Sequence, residues 1–161
     1  MRYRVMLSAV VVGPLFSMLP AHSQTSARPR TPPKLTPVAE TKLLMEGMAQ
    51  PNYRALEKLL TETPADNEAW VFARGQALLL AETGNLLMIR PPNNAGQDQW
   101  MEYAASFRET ASRLARACGT RDEAGARRGL SELAGACNRC HQTFRVPVRV
   151  GSGSSARPIR P

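Results

Sequence analysis

The sequence predicts an all-α fold, an antiparallel four-helix bundle, and three observations carry the prediction. Four tracts between residues 37 and 146 repeat their apolar residues at helical spacing, turn-forming joints separate them, and no tract alternates apolar with polar residues as a strand would. Aromatics make up 6% of the chain and β-branched residues are sparse, whereas the helix formers Ala, Leu, Glu and Arg are plentiful. At 161 residues the chain can build one domain with a sizeable core and is short for two.

The first tract begins near Pro37 and carries Val38, Met45, Met48, Leu56, Leu59 and Leu60 at mostly helical spacing. Pro51 lies inside it. A proline deletes a backbone donor and crowds the preceding turn, so a kink or break is expected at Gln50 and Pro51. Thr63 followed by Pro64 reads as the cap and first residue of a second helix. Trp70, Val71, Leu78, Leu79 and Leu86 are its expected buried side, with Pro91 and Pro92 ending it and Asn93, Asn94, Ala95 and Gly96 forming a loop. The third helix has the cleanest stripe: Trp100, Ala104, Phe107, Ala111, Leu114 and Cys118 follow one another by four or three residues. Gly119 and Thr120 close it and offer a cap to a fourth helix over about 121–145. There Leu130, Leu133, Ala134, Cys137, His141 and Phe144 share a face.

The flanks differ in composition. Arg2 and Arg4 precede an apolar run over 5–19, and Ala21 and Ser23 are small residues spaced as a signal peptidase requires, so residues 1–23 read as a signal peptide. The run is short for a spanning helix and Gly13 and Pro14 interrupt it. Export to a bacterial periplasm and no stable membrane insertion are the expectation. Residues 24–36 read as a disordered linker and 147–161 as a disordered basic tail, leaving 37–146 as the folded domain. The net charge of +8 belongs to those flanks. Eight of the 21 basic residues (Arg2, Arg4, Arg28, Arg30, Lys34, Arg149, Arg157 and Arg160) lie outside 36–146, which leaves 13 against 13 acidic residues inside. A nucleic-acid binder needs a basic stripe on a folded face, and none is visible.

The chemistry-bearing residues are Cys137, Cys140 and His141, in the order C-x-x-C-H that attaches c-type haem. Spacings of three and four bring all three side chains to one helix face within about one turn, so two sulfurs and one imidazole can hold the same flat macrocycle. His22 leaves with the signal, so His141 is the only imidazole of the mature chain. Two rival readings use the same residues. A C-x-x-C disulfide or thioredoxin-like pair lacks the βαβ context that chemistry uses. A zinc site needs four ligands, which would draw in Cys118 with no carboxylate to help. Cys118 continues the third helix's stripe and is expected as a packed, unreacted thiol.

Cys137 to Arg145 reads C-N-R-C-H-Q-T-F-R on the last of four helices, and this resembles the class II c-type cytochromes, the cytochrome c′ group. The resemblance is loose over 37–146 and specific over its final nine residues. It implies a four-helix bundle with one covalent haem c, His141 as proximal iron ligand, and Phe144 and Arg145 packed beside that histidine. It also implies that the first helix fills the distal side, either with an apolar residue or with a ligating methionine. Met45 and Met48 are the candidates for distal iron, Met45 the first choice. Dimerisation through the first two helices follows from the same likeness. Pro51, the long polar tails and the Pro-interrupted joints depart from the family pattern.

Electron transfer by a single haem, with a redox partner protein, is therefore the expected function. Its alternatives are a five-coordinate haem protein that binds NO or CO, and a helical interaction module without haem whose C-x-x-C forms a disulfide. No enzyme is expected. A peroxidase would need distal acid–base groups, and nothing in the sequence argues that Arg74 or Glu46 supplies one.

Overall fold

The structure is a computed structural model that describes residues 34–93 and 96–151. The expected signal peptide, most of the linker and the tail beyond Gly151 lie outside the described residues. Residues 34–40 are exposed coil. The described chain is helical: α1 (Thr41–Leu44), a π-helical turn (Met45–Ala49), α2 (Gln50–Thr61), α3 (Asn67–Met88), α4 (Gln97–Gly119) and α5 (Glu123–Thr143). Since α1, the π-turn and α2 join without leaving right-handed helical backbone, these make four helical tracts and fit a helical bundle. No strand occurs among the described residues. α3 packs on α4, α4 on α5, and α2 touches both α3 and α5. None of these helices is long and apolar enough to cross a membrane.

Pro51 does not break the first tract. It sits in the first turn of α2, and the irregularity falls just before it, where Gln50 N–H reaches back five residues to the Met45 carbonyl. A π-turn is wider than an α-turn and accepts the pyrrolidine ring. The Asn52 side chain donates to the Met48 carbonyl at 2.6 Å, adding a partner beside the proline. Val38, expected in the core, is fully exposed, because the helix begins three residues after it.

The second helix starts later than Thr63 and Pro64 suggested. Asp66 is the cap, its carboxylate accepting from Ala69 N–H at 2.8 Å. Thr63 instead occupies a joint with φ of 58°; its hydroxyl donates to Glu123 at 2.8 Å and accepts from Arg127 at 2.7 Å. The buried face of α3 also differs. Trp70 is in the core as expected, but Val71, Leu78 and Leu79 are exposed, and Ala73, Ala77, Leu80, Ala81, Gly84 and Leu87 are buried. The reason is close approach: a Cβ on Gly84 would stand 2.7 Å from Arg108 Cβ and 3.0 Å from its Cα. The small residues of α3 bring it near its neighbours, with Trp70, Leu80 and Leu87 packed beside them and Val71, Phe72, Leu78 and Leu79 facing outward. A shallow open groove of about 570 Å³, lined by Phe72, Leu78, Leu79, Glu82, Asn85 and Arg108, marks that outer side.

The α4 stripe is as expected, with Ala104, Phe107, Ala111, Leu114 and Cys118 buried and Trp100 half-buried. Trp100 also ties α4 to α3, since its indole N–H donates at 2.8 Å to the Leu87 carbonyl, which also accepts from Arg90 N–H at 2.9 Å. Arg90 donates to the Leu86 and Ala39 carbonyls and fastens the same helix end to the chain before α1. Asp122 caps α5 through Gly125 N–H at 2.9 Å.

Candidate haem site

α5 carries the motif in its last two turns. Leu133 and Ala134 are buried, and Cys137, Cys140 and His141 follow as half-buried residues. All three cysteines are free thiols, and Cys118 is buried as expected. Burial pushes the Cys137 thiol up to about 12, with Cys140 adding to the effect, and it pushes the Cys140 thiol up as well. Burial likewise raises Cys118, to about 11. Burial thus favours the thiol over the thiolate at all three cysteines.

Beyond the helix, His141 Nδ1 meets the Val148 carbonyl at 2.9 Å. The Phe144 ring lies edge-on to Trp100, with ring centroids 5.1 Å apart, and to Tyr103 at 6.3 Å, so it seals the end of α5 against α4. Tyr103 and Thr143 share a hydroxyl–hydroxyl bond of 3.0 Å beside it. Arg145 is exposed and takes φ of 55°, a left-handed turn at the helix end.

Met45 and Met48 lie in the π-turn, half-buried against the core, and that turn packs on α3. A first-tract residue that senses the motif is Tyr53, which the sequence pattern did not single out. Burial, then the Glu57 carboxylate and Cys137, hold the Tyr53 phenol well above its usual value. Glu57 Oε1 is itself buried with no hydrogen-bond partner. Tyr53 and Glu57 are four apart on α2, and α2 is the element of the first tract that meets α5. The one available signal was that spacing, a tyrosine and a carboxylate on a face otherwise built of Leu56 and Leu60.

The donor set fits a haem attached through C-x-x-C-H. Two free cysteine sulfurs and one imidazole stand within a turn of each other. The imidazole has its Nδ1 engaged, and Nε2 is without a partner among the described residues. Among those residues no three His, Cys, Asp or Glu side chains gather as a polydentate metal cluster, which is the arrangement zinc would use.

The described elements are thus helical, and α5 carries the C-x-x-C-H set in its last turns. Residues 95–145 match the family model for cytochrome c′, and over α4 and α5 the chain is cytochrome c′-like, in keeping with a class II cytochrome. The match covers roughly a third of the chain and takes in Cys137, Cys140, His141, Phe144 and Arg145. No curated protein and no solved structure matches the chain.

Proposed function

We propose that this chain is an exported monohaem c-type cytochrome, an antiparallel four-helix bundle that carries electrons to or from a redox partner in the periplasm and turns over no substrate. The observation behind the proposal is that Cys137, Cys140 and His141 occupy one face of α5 inside the stretch matching cytochrome c′. Haem, when bound, supplies a one-electron Fe(III)/Fe(II) couple. Cys137 and Cys140 would hold it through sulfur, and His141 would offer Nε2 to the iron. Phe144, Trp100 and Tyr103 pack the end of α5 against α4. Protein matured in a host competent for c-type cytochromes should keep its colour through acid-acetone extraction and show the mass of one covalent haem. Cys137→Ser and Cys140→Ser should each leave at most one covalent link. Complete extraction of colour from the parent protein would refute the proposal.

A second reading, a five-coordinate haem that binds NO or CO, draws support from where the methionines sit. The turn bearing Met45 and Met48 packs on α3, while α2 faces α5. If this reading holds, CO should shift the spectrum of reduced protein at once, and Met45→Leu and Met48→Leu should leave the spin state unchanged. If a methionine ligates, the parent should ignore CO and one of the two variants should gain the response.

A further inference from the structure

Residues 146–151 play no part in the C-x-x-C-H motif, yet they are bonded to it directly. After the left-handed Arg145, Val146 N–H donates to the His141 carbonyl at 2.7 Å, and the chain doubles back at the helix end. It then runs along α5. The Val148 carbonyl lies 2.9 Å from His141 Nδ1. Two residues on, Asn138 grips Val150 twice: Val150 N–H donates to Oδ1 at 2.9 Å, and Nδ2 donates to the Val150 carbonyl at 2.7 Å. Gly151, at φ of 125°, lies against Ala134, its would-be Cβ 3.5 Å from the alanine methyl. The folded part thus extends past 146, through the first residues of the expected tail.

A carbonyl oxygen accepts and cannot donate. The contact with Val148 therefore requires the hydrogen on Nδ1 and leaves Nε2 as the nitrogen with a lone pair. A bond of this kind also fixes ring rotation and makes the ligating nitrogen more basic. The oxygen belongs to the backbone, so its position depends on how the returning segment is fastened, and Asn138 fastens it beyond Val148. We propose that residues 146–151 form a strap, clamped by Asn138, whose Val148 carbonyl sets the tautomer and orientation of His141. Asn138 is a positioning residue by this account, and its place between the two cysteines follows from that role.

The strap's effect on iron rests on the haem reading, whereas its effect on the ring does not, and the experiment separates the two. Nitrogen-15 spectra of the full-length chain, taken before haem attachment, should show His141 protonated at Nδ1. Asn138→Ala, and independently a stop after Pro147 that leaves the motif intact, should move the hydrogen towards Nε2. In the haem-loaded protein, loss of the Nδ1 bond makes the ligand a poorer donor. The Fe(III)/Fe(II) equilibrium should shift about tenfold towards Fe(II), or ~59 mV for one electron. Asn138→Asp keeps the acceptor for Val150 N–H and should lie between parent and Asn138→Ala. A merely structural strap would lower the melting temperature and leave tautomer and potential in place. That result, or a parent ring protonated at Nε2, overturns the proposal. A parent chain that takes up no haem but shows the Nδ1 tautomer sinks the cytochrome reading and leaves the strap standing.

Discussion

Where α3 meets α4, two backbones come together because Gly84 has no side chain to hold them apart; where α5 meets the returning chain, contact depends on an amide, a ring nitrogen and three backbone groups. The first seam is held by shape. Its sequence cost is low, since alanine and glycine suffice, but it tolerates no added atoms. The second is held by direction: small changes of volume matter little, and loss of one polar partner undoes it. The scaffold is thus most sensitive to size, and the functional end to hydrogen-bond chemistry.

The largest expected effect comes from emptying the shape-held part. Leu114 is fully buried in α4 and touches the face of Gly129 on α5, whose would-be Cβ lies 3.2 Å from a Leu114 methyl. Leu114→Ala should cost about 3 kcal/mol in denaturant unfolding. Overfilling comes next. Gly84→Ala gains up to ~1 kcal/mol in helix propensity, yet it drives a methyl into Arg108 and should still destabilise by about 2 kcal/mol. A neutral or stabilising result would show that α4 can yield, and the contrast between the seams would collapse. The smallest effect belongs to a directed contact on the surface. Hydrogen bonds from Thr63 and Arg127 hold the Glu123 carboxyl below the usual carboxylate range. Its contribution is present above the unfolded-state value and is lost as pH falls through the lowered folded-state value. Parent and Glu123→Gln melting curves should therefore differ slightly at neutral pH and converge in acid. A gap that persists at low pH would mean that shape, not charge, joins α5 to the Thr63 turn.

How far the sequence could be read follows the same division. The α4 stripe was legible because its large residues and its buried residues coincide. On α3 they do not: Val71, Leu78 and Leu79 are exposed, and Ala73, Ala77 and Gly84 pack inward alongside Trp70, Leu80 and Leu87. Periodicity detects a helix but cannot choose between two apolar faces when close approach decides. Cys137, Cys140 and His141 were legible because the motif is contained in five consecutive residues. Tyr53 was not, since its proximity to Cys137 depends on how two distant helices meet. The strap was hidden by its composition, which resembles a tail. The alternation of Val146, Val148 and Val150 is the signal that would have suggested an extended segment lying along a surface.

The π-turn at Met45–Ala49 has a consequence for the start of the first tract. A turn that reaches back five residues uses one more residue than an α-turn for the same circuit, so a wheel drawn straight through 41–61 falls out of phase by about 100°. Leu44 lies on one side of that slip and Tyr53 on the other, and both are buried. Gly47 sits in the slip with open space where a side chain would be. Excising it would restore an unbroken α-helix and rotate Leu44 away from the interior. The seating of the N-terminal turn is set by a count of residues, which no substitution alone would reproduce.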